Sequence, residues 1–596
     1  MKKILFLSSI LAALVLSSCS EDYLDNPKLG NTGDTSTYYE GDDAAEAALV
    51  TCYYYIKQPS RKETNEFFLS HLKVSGKLGG ELSGTAVRSE IGSIDHYLHD
   101  GLNCSGNQEL WNVYWKVIEA CNIVTDHFSD ATPVQKRCAA EAKVLKAWAY
   151  INLASYWGNA PLIKSVPTGP ADPNFKPANA AEEDIWTYAK ECLTEAIESG
   201  VLPQKKGADD KVVRVTKETA LTLLGKAQVL TGDYAGAKTS LKQVIDSPNY
   251  RLLTTEELRT VLCAGGAGRL NSESLMEIYN DIEAGDKYQS VFYDYFDPNW
   301  VMDAHEIGWV SEDSYIRRIA YGWPTYVDYQ AIKDIIDHEG LSKRVKAFFV
   351  SYDELVDEWG LKHIEQNLDP VADADTYNLL QRTSLSTPST EFITSDLKYQ
   401  VLGFCGFLFR KPMSTYIDDW FEHANEKYSR SANYRSLLRL SEAYLLYAEA
   451  CAMAGDSDGS GLKALNAIAR RAGYAKGTGE YSSLTLENVK IEKRAEMFGE
   501  GCRFVDLVRW GDAEKVLKAE PYLPIFFGYN DGKSSADIKP DGSNIWDVYK
   551  MRFFDVDANS EIKPSGFVKG THEHLPFPYS ETTTNPNLVQ NPGYAF

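Results

Sequence analysis

The sequence predicts an all-α chain: a tetratricopeptide-like scaffold of stacked helix pairs, broken by long irregular loop excursions. Three observations predict it. Between Thr219 and Tyr250, Leu221, Leu224-Gly225, Ala237, Leu241 and Val244 fall at helix-pair spacings, with Gly232-Asp233-Tyr234 as the turn. Between Ser441 and Gly473 the pattern recurs, with Tyr444 and Tyr447-Ala448 in one helix and Ala464, Ile468 and Ala472 in the next. Residues 75–108, 280–330 and 520–596 carry no helical period, and stretches of that length are usually functional or disordered. Their aromatic content argues against disorder.

The elements follow in order. Lys2 and Lys3 precede an apolar run from Ile4 to Leu16, too short to span a bilayer and of the usual size for a secretory signal. Leu16-Ser17-Ser18-Cys19 closes it and resembles a lipobox, which makes Cys19 the expected lipidated N-terminus. Residues 1–18 are then a signal peptide and 19–40 a lipidated linker. A helical N-terminal half is expected over 41–255. It includes paired long helices at 107–129 and 133–157, with Trp111, Trp115 and Ile118 on one face, and another helix at 182–199. The C-terminal half, 256–596, is expected to hold a ligand-binding excursion at about 280–430 and the final helix pairs.

Composition narrows the function. The net charge is −23 with no Lys/Arg block, which disfavours a nucleic-acid binder. Of ten cysteines, no two are spaced CxxC, so zinc-ribbon and thioredoxin chemistry are disfavoured. Buried small hydrophobes are the expected role for the scattered thiols, with disulfides possible but unassigned. The chain is rich in Tyr (36) and Trp (12), rings whose faces can stack on sugars and can equally fill helical cores.

Several segments resemble the SusD/RagB lipoproteins. They are Ala140 to Ala147 running into Tyr156-Trp157-Gly158-Asn159-Ala160-Pro161-Leu162, Asn271 to Ser274, and Arg435 to Ala450. The strongest are Arg494-Ala495-Glu496-Met497, Glu500-Gly501-Cys502-Arg503, Asp506-Leu507 and Arg509-Trp510-Gly511, with Leu575-Pro576-Phe577-Pro578 and Gln590 to Tyr594 at the end. Lys493 departs from the family's usual Glu, and Gly499 from its bulky residue. Both are expected on a structural helix, away from any ligand. The resemblance implies an outer-membrane, cell-surface lipoprotein. Such a protein captures an oligo- or polysaccharide and delivers it to a TonB-dependent, SusC-like transporter. The acidic Ser20-Glu21-Asp22 after Cys19 resembles the surface-export tag of Bacteroidetes lipoproteins.

Catalytic signatures are missing from the sequence. There is no HExxH, GxSxG or Walker loop. Asp555 to Asn559 begins like a calcium loop but has Ser560 and Gly566 where Gly and Glu belong. Glu492, Arg494, Glu496, Glu500, Arg503, Asp506 and Arg509 alternate at helical spacing. They are expected to pair with each other, which lowers carboxylate pKa values instead of raising one for a general acid. No enzyme, cofactor or metal site is therefore expected. The expected glycan contacts are Trp300, Trp309, Tyr315 and Tyr295 in one excursion, and Tyr97 and Arg88 in the other, with about half of the aromatic residues there serving as core. Peptide capture within the same family, a helical endo-glycanase and a pure protein adaptor are the alternatives.

Overall fold

In the computed structural model, the structure describes residues 39–57, 71, 74–84, 94, 96–104, 106–128, 132–264, 268–279, 325–358, 405–411, 434–519, 522–555 and 565–595. Its main helices are α1 (Gly41–Lys57), α2 (Asn107–His127), α3 (Pro133–Trp157), α4 (Glu182–Glu198), α5 (Lys217–Leu230) and α6 (Tyr234–Ile245). They continue with α7 (Tyr329–Glu339), α8 (Lys343–Phe348), α9 (Leu440–Ala454), α10 (Ser460–Ala472), α11 (Leu486–Glu496) and α12 (Arg503–Trp510).

Local chemistry sets the ends of these helices. Thr132 accepts from the Gln135 N–H and Pro133 opens α3, a strong start signal. Thr216 and Thr219 form a reciprocal cap on α5, and Asp233 accepts from the Gly236 N–H at 2.9 Å to start α6. Gly158, in the left-handed region at φ 66°, ends α3.

The helices stack in sequence: α2 on α3, α3 on α4, α4 on α5, α5 on α6. Then α6 meets α9, which packs on α10 and α11. The scaffold thus runs from the first half of the chain into the last third, jumping the intervening residues. Gly225 lets α5 and α6 approach, since a Cβ there would lie 2.4 Å from Leu241 Cγ. One apolar core runs along this stack and includes Leu145, Trp157, Leu241, Leu446 and Phe577.

Strands are few and short. The described ones are β1 (Leu82–Gly84), β2 (Ser274–Tyr279), β3 (Thr325–Val327), β4 (Phe349–Ser351), β5 (Phe407–Phe409), β6 (Tyr434–Arg439), β7 (Tyr522–Tyr529) and β8 (Tyr549–Asp555). They form four antiparallel pairs: β1–β3, β2–β6, β4–β5 and β7–β8. A second core, with Ile332, Phe348, Phe407, Phe498 and Tyr549, lies under α7, α8 and the β1–β3, β4–β5 and β7–β8 pairs, while β2–β6 packs on the first. The expected all-α scaffold of helix pairs is the one observed.

Candidate functional site

Glu492, Lys493 and Glu496 of α11 and Asp506 of α12 are buried, and most partners of the acids and arginines on these helices come from elsewhere in the chain. Glu496 accepts from Arg439 at 2.6 Å, Arg471 at 2.5 Å and Arg344 at 3.1 Å. Glu492 accepts from Arg344 at 2.6 Å, and Arg509 forks onto Glu449. Only Asp506 with Arg509, at 2.7 Å, pairs within the cluster as expected. Burial alone would raise the Glu496 carboxyl. Arg471, Arg439 and Arg344 outweigh it and hold the group far below the carboxylate range. It is a fixed anion, unsuited to donating a proton.

At Asp506 this network meets an open cleft. Trp148, Asn152 and Ser155 of α3 lie on one side, Leu223 and Lys226 of α5 on another, and β6 with residues 499–506 on a third. Trp148 and Asn152, four residues apart, share a helix face. Asn152 donates back to the Trp148 carbonyl at 2.8 Å.

Three lysine–carboxylate pairs stud the wall: Lys226–Glu442 at 2.8 Å, Lys411–Glu500 at 2.6 Å and Lys493–Asp506 at 2.8 Å. Burial tends to lower Lys226, but Glu442 beside it reverses this and holds it above its ordinary value. For Glu500 and Asp506 burial is likewise outweighed, by Arg439 and Lys411 in one case and by Lys493 and Arg509 in the other, so both stay ionised. Burial brings Arg435 down to about 9, and its Nη1 donates to the backbone carbonyls of Tyr434 and Lys411. Burial, with Lys226 nearby, lowers His71 to about 4, so the imidazole is neutral.

The wall therefore offers an indole, amide and hydroxyl groups and ionised pairs. Polar groups set in an apolar surface are the elements of a small-ligand site. Glu500 and Asp506 are held ionised, whereas glycoside cleavage needs a raised carboxyl. Glu81 has such a carboxyl, pushed up to about 7 by burial. It sits behind the wall, 1% exposed, accepting from the Gly499 N–H at 3.1 Å.

Lys493 lies on α11 as expected, whereas Gly499 is corrected, lying just beyond the end of that helix; both line the cleft. Gly499 has φ 71°, and a Cβ there would fall 2.2 Å from the Phe409 ring, which excludes a bulky residue. Tyr97 is corrected too. It was expected to stack on a ligand, yet it is 5% exposed, its ring against Phe567 and His572 and its hydroxyl donating to the Leu78 carbonyl at 2.5 Å. Arg88, Tyr295, Trp300, Trp309, Tyr315 and Cys19 lie outside the described residues. Sequence reasoning missed the cleft because its walls come from segments hundreds of residues apart. Among the described residues no group of His, Cys, Asp and Glu could hold a metal.

Known proteins are similar to this chain. Residues 406–594 match the SusD family. A SusD-like protein of Bacteroides ovatus is 22% identical, aligned over 97% of this chain and 96% of its own length. Among solved structures, a laminarin-binding SusD-like protein superposes with a TM-score of 0.62 at 20% identity, covering 93% of this chain and all of the other. Surface glycan-binding protein A from Bacteroides thetaiotaomicron, solved in complex with laminarihexaose, superposes with a TM-score of 0.61 at 18% identity, over 92% of this chain and 99% of the other. At these identities the superpositions establish a SusD-like fold. The resemblance to the SusD/RagB family read from the sequence is borne out.

Proposed function

We propose that this protein is a surface glycan-binding lipoprotein that captures an oligo- or polysaccharide without cleaving it and passes it to a TonB-dependent outer-membrane transporter. The observation that carries the reading is the SusD-like likeness along nearly the whole chain, with relatives named for laminarin and glycan binding. Signal, lipobox and acidic Ser20-Glu21-Asp22 support an anchor through the lipid of Cys19 at the outer surface. Among the described residues no helix is long and apolar enough to cross a membrane. The fixed ionisation of Glu496, Glu500 and Asp506 supports binding over hydrolysis.

The leading stacking platforms are Trp300 and Trp309, with Tyr295, Tyr315 and Arg88 beside them in the sequence-derived set. Truncating a central stacking ring typically costs about 2 kcal/mol, or about thirtyfold in affinity. Titration calorimetry with the preferred glycan should show that loss in Trp300→Ala or Trp309→Ala at an unchanged melting temperature. Folded variants that bind normally would remove these rings from the site.

A further inference from the structure

Two of the buried cysteines face each other across a helix pair. Cys52 belongs to the buried stripe Ala45, Leu49, Cys52, Ile56 of α1. Cys121 belongs to the stripe Val117, Ile118, Cys121, Val124 of α2. The two helices pack antiparallel, with Tyr39 stacked on His127 at one end and Lys116 over Tyr55 at the other, and both thiols are fully buried between them; Cys52 Sγ also donates to the Ala48 carbonyl at 3.5 Å. Other cysteines find different partners: Cys502 donates to Glu442 at 3.4 Å, Cys405 to the Val327 carbonyl at 3.3 Å, and Cys451 lies against Tyr447.

We propose that Cys52 and Cys121 form an intramolecular disulfide in the exported protein, stapling α1 to α2. The helix beginning at Gly41 is the first described helix after the expected lipid linker. The staple would tie this helix to α2. The pairing rests on the helix packing. Its presence in the exported protein rests also on the proposed surface location, since an oxidising compartment is needed.

The bond must close before the pair is buried. In the fold, the Cys121 thiol and burial push the Cys52 thiol well above its ordinary value, and the thiolate is the reactive form. The oxidant is a disulfide-bearing thiol oxidase of the exporting compartment. The Cys121 thiolate attacks the oxidase disulfide, giving a mixed disulfide and one oxidase thiolate. The Cys52 thiolate then attacks the Cys121 sulfur and expels the second oxidase thiolate. Two electrons and, in net, the two thiol protons pass to the oxidase, which leaves as a dithiol. The bond closes a loop of about 70 residues, which restricts the unfolded chain.

Trypsin isolates each thiol, because the peptides 29–57 and 117–136 carry one cysteine apiece. The full chain should be taken from the host membrane fraction, acid-quenched, alkylated and digested without reduction. The same chain, reduced, denatured and refolded in a glutathione redox buffer, gives the second sample. The expected result in both is the 29–57 peptide linked to 117–136, two hydrogens lighter than the sum of the free peptides. Reductant should also lower the melting temperature of the wild type by a few degrees and leave Cys52→Ser unmoved. Singly alkylated peptides from the refolded chain overturn the pairing. Linkage on refolding with free thiols in the membrane sample overturns the disulfide in the exported protein. Absence of the chain from membranes overturns the surface location instead, and the refolded sample still decides the pairing.

Discussion

Replacing Glu496 with Gln tests whether the acid–arginine cluster is structural. Glu496 Oε1 takes Arg439 at 2.6 Å and Arg471 at 2.5 Å, and Oε2 takes Arg344 at 3.1 Å. All four side chains are almost fully buried. A glutamine keeps the shape and removes the charge. Whichever way its amide turns, its NH₂ faces a guanidinium that also donates. Removing one member of a buried pair costs about 3–5 kcal/mol, because it leaves uncompensated charge away from water. Three guanidiniums converge here, so the upper part of that range is expected, a large share of a typical folding stability of about 5–15 kcal/mol. Urea unfolding followed by circular dichroism measures the loss. Glycan titration well below the variant's melting temperature should give wild-type affinity. A stability change under about 1 kcal/mol, well short of the burial penalty, would refute the reasoning. So would a well-folded variant that has lost binding.

Three further outcomes are expected. Gly225→Ala drives a Cβ into Leu241, and overpacking of about 1–3 kcal/mol should exceed the gain of about 1 kcal/mol in helix propensity, lowering the urea midpoint. Burial, with His572 adjoining, lowers His99 from 6.5 to about 3, so the unfolded chain takes this proton first. The stability it supports is present above pH 6.5 and is lost as pH falls toward 3. Urea melts across that window should show His99→Gln less acid-sensitive than wild type, by at most about 1.4 kcal/mol per pH unit; parallel curves would contradict this. Cys19→Ala should move the chain from the detergent phase to the aqueous phase or leave it held by an uncleaved signal, since the acyl chains are gone.

The helix pairs were legible because their signals are local. Pro133 after Thr132 and the Gly232-Asp233 turn place ends that the structure reproduces within a few residues. Helix α1 was not singled out, although Ala45, Leu49, Cys52 and Ile56 form a plain apolar stripe. The strand pairs were illegible because their partners are distant: Tyr279 opposes Tyr434, and Phe349 opposes Phe409. The ion network had the same difficulty. Its acids were read correctly as paired, but Arg344, Arg439 and Arg471 lie on other elements. Tyr97 shows the limit for aromatic residues. Only the packing of Phe567 and His572, some 470 residues away, decides that its ring is covered.

Glycan capture without cleavage is tested most directly by titrating the full protein against a panel of purified polysaccharides while following their chain length by chromatography. The account predicts saturable binding to at least one polysaccharide, its chain length unchanged after prolonged incubation. Shortened chains would contradict it, and so would the absence of binding across the panel by a protein that melts as a folded chain.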